Sequence, residues 1–257
     1  MGNKLKETIL AGGNGLGTFF SAGDMSMMEC LGYTGLDFVI IDCEHGPFDT
    51  MDQMDMIRAA ESVGLTPIVR IADVSHKEIQ RALDAGAQGL VVPCLRTMDE
   101  IKKMVDLAKY PPLGNRGFIK GRGAGFGNMD WASGSVAEFM ANSNERVLLL
   151  PQCETVECLD IIEDVAKVDG VDGIFIGPFD LSISLGIPGD FESPMFVEAL
   201  DRIVNAFKAE GKMVFAYVNT PEEAIDRFAK GYDGVTVNLN FNVMVSAYKS
   251  LVRAIRK

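Results

Sequence analysis

The 257-residue chain lacks a surplus of positive charge: 24 Lys and Arg stand against 36 Asp and Glu, a formal net charge of −12. A general nucleic-acid or anionic-membrane binder is excluded on that ground, because attraction to phosphate needs an excess of cations. No apolar run approaches the roughly 18 residues of a membrane span. Residues 1–17 hold Lys4 and Lys6 but no long apolar stretch and no cleavage site, so no signal peptide is expected. Cysteine is sparse and unpatterned. Cys30, Cys43, Cys94, Cys153 and Cys158 are odd in number and share no repeated short spacing, which argues against a zinc cluster. Together these absences point to a cytoplasmic protein with reduced thiols.

Against this, 47% hydrophobic and 23% charged residues are ample for a packed core. Eight short apolar runs recur, at 17–20, 38–41, 67–69, 89–92, 147–150, 173–176, 213–218 and 234–237. Each is continuous rather than alternating and rich in β-branched residues, the pattern of strands buried on both faces of a parallel sheet. Helical segments separate them. Ser75 with Glu78, Thr97 with Glu100 and Thr220 with Glu223 have capping-box spacing, the last with Pro221 at the first helical position. Gly35, Gly86, Gly170 and Gly231 each end a helix just before a strand. Eight units at about 32 residues each predict a single α/β domain spanning 1–257, a (β/α)8 TIM barrel, with an open doubly wound sheet as the rival. The 110–145 segment breaks the rhythm and carries the only tryptophan, Trp131. Lying between the fourth and fifth strands, it is expected at the catalytic face.

Barrel enzymes draw their chemistry from the carboxyl ends of the strands. Those ends read Asp42-Cys43-Glu44-His45, Arg70, Pro93-Cys94, Gln152-Cys153-Glu154, Gly177-Pro178-Phe179-Asp180 and Val218-Asn219. Glu154 and Asp180 come from neighbouring strands, and two carboxylates at one rim share a proton or bind a cation that keeps several waters. Capping of the following helices is the competing role for both. His45 is a candidate general base with Asp42 three residues before it to orient it, whereas His76 belongs to a first helical turn and is set aside. Arg70 suits a carboxylate or a developing enolate oxygen, or else a structural ion pair. Asp84 is either such a partner or a solvated helix charge. None of the eight runs carries a lysine, which disfavours Schiff-base chemistry and leaves carbonyl chemistry to a metal. The glycines at 12–15 and 121–127 match no phosphate loop, and the methionines at 25–28 and 51–56 read as packing or interface.

These segments, in this order, resemble the HpcH/HpaI aldolase and citrate lyase family, the metal-dependent class II pyruvate aldolases. The likeness runs from about Gly15 onward, through 35–46, 67–70, 84–93, 110–117, 152–155 and 170–182. The resemblance implies reversible cleavage of a 4-hydroxy-2-oxo acid, a 2-keto-3-deoxy sugar acid or a 4-hydroxy-2-oxo diacid, to pyruvate and an aldehyde. It implies Glu154 and Asp180 as ligands of Mg²⁺, Mn²⁺ or Co²⁺, and Arg70 and Gln152 as contacts to the keto acid. His45 with Asp42 would form the acid/base system, Asp84 would be linked to it, and backbone around Pro178 and Phe179 would complete the pyruvate site. It further implies a homo-oligomer, a hexamer built as a dimer of trimers, with the last helix (241–255) packed on a neighbouring subunit. Three features depart from the family: Phe179 stands where a small residue is usual, 237–240 reads Val-Asn-Leu-Asn where Asp is common, and 118–123 is a variable loop expected to face the second substrate. Two alternatives stand beside this reading. One is a citrate-lyase-like enzyme of CoA thioesters, for which Arg116, Lys120 and Arg122 would bind the phosphates; the other is a non-catalytic barrel with a degraded rim.

Overall fold

The computed structural model describes residues 2–256. Eight strands form, β1 (Gly15–Phe20), β2 (Phe38–Asp42), β3 (Thr66–Arg70), β4 (Gly89–Val92), β5 (Leu148–Cys153), β6 (Gly173–Ile176), β7 (Met213–Val218) and β8 (Gly234–Leu239). Each pairs in parallel with the next and β8 closes on β1, so the sheet is a closed barrel and the open-sheet rival is excluded. Side chains of alternating direction fill two layers. Phe19, Phe38, Ile40, Ile68, Leu150 and Phe215 belong to the barrel interior. The other set, including Val39, Ile41, Val69, Leu90 and Ile174, packs under the surrounding helices. Closure depends on small residues at crowded points: a Cβ on Gly17 would stand 2.6 Å from the Phe38 ring.

The three N-caps form as spaced, and only the Thr97–Glu100 pair closes the full box in both directions. Ser75 accepts from the Glu78 amide at the start of His76–Ala85, and Gly86 ends that helix in the left-handed region at φ 116°. Thr97 and Thr220 cap Met98–Ala108 and Pro221–Ala229 in the same way. The amino-terminal end of the barrel, the floor, is plugged by helix Lys4–Leu10, whose Leu5 and Ile9 join the interior layer.

The long segment does not lie where expected. A complete helix, Met98–Ala108, intervenes between β4 and the segment, so the segment is a helix-to-strand connection and falls at the floor. It forms two short 3₁₀ turns, Arg122–Gly127 and Asp130–Ala132, and helix Val136–Arg146, around a small core of Tyr110, Trp131 and Phe139. Residues 118–123, expected to face a second substrate, are part of this floor within the chain. The last helix, Asn240–Ile255, buries none of its residues. Its Val243, Met244, Tyr248, Leu251 and Val252 are exposed, and it meets the barrel mainly at β1 and β8. No helix among the described residues is long and apolar enough to cross a membrane.

Candidate active site

At the carboxyl-terminal rim the ends of β2 and β3 lie in register, Asp42 opposite Arg70. Asp42 is fully buried and accepts Arg70 Nε at 2.9 Å and Nη2 at 2.8 Å, a fork-on-fork pair. Ser21 Oγ and the backbone amides of Glu44 and His45 donate to the same carboxylate. Burial works to raise the Asp42 carboxyl, but Arg70 and these donors prevail and hold it below the usual carboxylate range. Asp42 therefore orients Arg70. It does not orient the His45 imidazole as its spacing suggested, because the short turn after β2 presents the His45 backbone amide to it. The ring is exposed instead, with Nε2 3.9 Å from Glu44 Oε2.

Glu44 is the residue that the spacing argument passed over. Its Oε2 lies 3.2 Å from Arg70 Nη1 but outside hydrogen-bond geometry, and it is buried with no hydrogen-bond partner. Burial raises the Glu44 carboxyl; Arg70 lowers it, and the neighbouring Glu154 raises it again. Glu154 leaves the end of β5, where its Oε1 accepts the Cys94 amide at 2.6 Å and its Oε2 meets Gln152 Nε2. Gly177 permits this crowding, since a Cβ there would be 3.2 Å from Glu154 Oε2. Gln152 is itself buried, and its Oε1 has no donor. Cys94 follows β4 at φ 58° and places Sγ 3.8 Å from Glu44 Oε1; burial and the flanking carboxylates push its thiol up to about 11.

Helix capping, the competing role for Glu154 and Asp180, is not what these side chains do. Thr155 caps the helix after β5, and helix Pro178–Ser184 has no side-chain cap. Asp180 is exposed on the first turn of that helix, with Arg70, Gln152, Pro178 and Phe179, on a cavity of about 270 Å³. Four aromatic rings, Phe19, Phe175, Phe179 and Tyr217, share the remaining wall with Asn219, Leu239 and Asn242; Phe19 lies under the Arg70 guanidinium at 4.7 Å, and Phe179 packs on Tyr217 and on Phe191 behind it. The donor set fits a divalent cation. Ligand atoms of Glu44, Cys94 and Glu154, two carboxylates and one thiol, lie within 4.8 Å of one another. The Asp180 carboxylate stands outside that triplet.

Asp84 does not join the rim. It lies near the end of helix His76–Ala85, on the floor, paired with Arg116 at 2.9 Å. The other two cations of the candidate phosphate groove are also committed there. Arg122 pairs with Glu61, and Lys120 donates to the carbonyls of Ala132 and Gly134. The thioester reading thus loses its basic groove within this chain. Among the described residues no strand carries a lysine; the deeply buried Lys109 is a floor residue paired with Asp172.

Known proteins give a consistent comparison. The HpcH/HpaI aldolase/citrate lyase family profile matches residues 16–247. A 2-keto-3-deoxy-L-rhamnonate aldolase of Klebsiella pneumoniae subsp. pneumoniae is 32% identical over 241 residues, 93% of this chain and 88% of its own length. Among solved structures, an HpcH/HpaI aldolase/citrate lyase family protein from Burkholderia cenocepacia superposes with TM-score 0.90 at 31% identity, covering 99% of this chain and 100% of its own. The citrate synthase SbnG superposes with TM-score 0.88 at 28% identity, covering 98% and 97%. A closed (β/α)8 barrel with an acidic, arginine-bearing rim, matched over nearly its whole length by aldolases, is a carbon–carbon lyase, and the chain belongs to the HpcH/HpaI aldolase/citrate lyase family.

Proposed function

We propose that the chain cleaves a 4-hydroxy-2-oxo acid reversibly to pyruvate and an aldehyde, with a 2-keto-3-deoxy sugar acid as the favoured substrate class. The observation that carries the reading is the Arg70 guanidinium, locked on buried Asp42 at the mouth of a cavity that Gln152 and Asp180 also line. Glu154 and Asp180 would hold a divalent cation, Mg²⁺, Mn²⁺ or Co²⁺, which supplies Lewis-acid polarisation of the 2-keto group when bound.

The chain's own groups do the rest. Arg70 is pre-oriented, so its free N–H edges meet the negative charge that develops on the keto oxygen without reorganising at the moment of reaction. Gln152 and the backbone at Pro178 and Phe179 hold the keto acid against Arg70. His45, exposed at the rim beside Glu44, takes the proton of the C4 hydroxyl. The C3–C4 bond then breaks, its electron pair passes into the pyruvate enolate, the aldehyde carbonyl forms at C4, and C3 is protonated to give pyruvate. Asp84 acts on this centre only through a second copy of the chain, since its own barrel holds it at the opposite end. The uncovered apolar face of Asn240–Ile255 supports a homo-oligomer, for which a hexamer built as a dimer of trimers is the proposed arrangement and the cytoplasm the proposed location.

The test is exchange of the pyruvate methyl protons in D₂O, followed by NMR with Mg²⁺ or Mn²⁺ and then with EDTA. Metal-dependent exchange that is lost in Arg70→Ala supports the reading. Absence of exchange with every metal, even with candidate aldehydes present, would sink it.

A further inference from the structure

We propose that Cys94 is a sulfur ligand of the divalent-cation site, so that this centre favours zinc, cobalt or cadmium over magnesium. The inference rests on the reading of Glu154 as a cation ligand and adds a donor of different chemistry beside it.

Position is the first argument. Cys94 leaves β4 directly behind Pro93, with its backbone amide on Glu154 Oε1 at 2.6 Å and its Sγ 3.8 Å from Glu44 Oε1. Ligand atoms of these three residues fall within 4.8 Å of one another. Donors bound to one ion at 2.0–2.3 Å stand roughly 3–4 Å apart, so only a small closure separates the cluster from a coordination shell.

Two buried acceptors at the cluster lack donors. Gln152 is 1% exposed, its amide nitrogen touches Glu154, and its Oε1 has no donor. Glu44 Oε2 is buried and likewise has no hydrogen bond. Both orphans are acceptors, and a buried acceptor without a donor calls for a cation. Arg70 spends Nε and Nη2 on Asp42; its Nη1 faces Glu44 Oε2 at 3.2 Å but outside hydrogen-bond geometry, and it gives no hydrogen bond to Gln152 Oε1.

Softness then selects the ion. Carboxylate and water oxygens alone suit magnesium and manganese, whereas a thiolate in the shell suits zinc and its thiophilic relatives. Binding forms the sulfur–metal bond as the thiol proton leaves to solvent.

The experiment uses the full-length protein stripped with EDTA and titrated with Cd²⁺ and Co²⁺ while the ultraviolet sulfur-to-metal charge-transfer absorption is read. Competition with Mg²⁺ gives the relative affinities. The wild type is expected to develop the absorption at one metal per chain. Cys94→Ser is expected to lose it and to reduce the preference for Cd²⁺ over Mg²⁺ by at least about tenfold, while Cys30→Ser, altered at an exposed thiol elsewhere, keeps both. Glu154→Gln is expected to weaken every cation, Mg²⁺ included. Charge transfer that persists in Cys94→Ser, or one-to-one binding in the wild type without it, overturns the sulfur ligand and leaves the aldolase reading standing. Failure of the wild type to bind any divalent ion removes both. Cys94→Ala guards against a folding artefact: if it is folded by circular dichroism and still shows the absorption, the inference is wrong.

Discussion

At the floor of the barrel, Lys109 is almost wholly buried, yet it donates to the carbonyls of Asn144 and Val147 and to Asp172, which Lys6 also reaches. Arg116 holds Asp84 and Arg122 holds Glu61 at the same end. At the opposite rim, Asp42 and Glu44 share the Arg70 guanidinium while Glu154 meets only the Cys94 amide and Gln152, and the unpartnered atoms there, Glu44 Oε2 and Gln152 Oε1, are both acceptors. The floor also has two, Arg116 Nε and Trp131 Nε1, but they are donors lining a cavity of only about 30 Å³. Burial of charge is therefore common to both ends, and the difference lies in its compensation. Paired charges tie the long floor segment to the barrel; the uncompensated negative charge at the rim marks where a cation and an anionic substrate belong.

Four substitutions probe that difference. Arg70→Ala should have the largest effect, since it leaves buried Asp42 without its partner and removes the group facing the enolate. We expect about 3–5 kcal/mol less stability by urea denaturation, together with loss of pyruvate proton exchange. Its pH dependence has a definite sign. The Asp42 carboxyl is held below its unfolded value, so its contribution is complete above the ordinary carboxylate range and is lost as pH falls through the lowered value. In Arg70→Ala that acid-side loss should vanish. Retention of full exchange would show that the rim's one guanidinium is structural, like the floor's.

Lys109→Met should cost somewhat less, about 2 kcal/mol, because Asp172 keeps Lys6 while the Asn144 and Val147 carbonyls lose their donor. Exchange per folded molecule should be unchanged. A drop in it would join the two ends functionally and break the comparison.

Phe179→Ala sharpens the view of the rim alone. The ring is 44% exposed and packs on Tyr217 and Phe191 at the cavity wall. Its removal should shift kcat/KM toward bulkier 4-hydroxy-2-oxo acids by about tenfold with little change in stability. The smallest effect is expected at neither end. Arg202 holds the Glu163 carboxyl at about 2 from the outer surface, but both side chains are largely solvated. Arg202→Gln should cost about 0.5 kcal/mol above pH 5, with the difference disappearing as pH falls toward 2.

The eight strands and the capped helices were legible in the chain because each is a local device. Continuous apolar runs, a Ser or Thr three residues ahead of a Glu, and glycine at a helix end act within one turn or one strand of themselves. Arg70, Gln152 and Asp180 were legible as rim residues for a related reason: once the strands are known, their ends are known, and the cavity lies there. Assignments failed, or were missed, where the answer depends on how distant parts of the chain meet. The segment at 110–145 was assigned to the wrong end although the capped helix Met98–Ala108 ahead of it was itself legible; with that helix in between, the segment runs from helix to strand and falls at the floor. Asp42 was given to His45 by spacing, but the register of β2 on β3 sets it against Arg70. Glu44 and Cys94 were visible only as neighbours of better candidates. They come within reach of Glu154 because adjacent strand ends converge at the rim, and a separation of 50 residues between Glu44 and Cys94 carries no signal of that in one dimension. Hydrophobic periodicity and caps specify which elements form, since their free energy is gained locally. Which charges meet, and which are left unmatched, is decided only when the barrel closes.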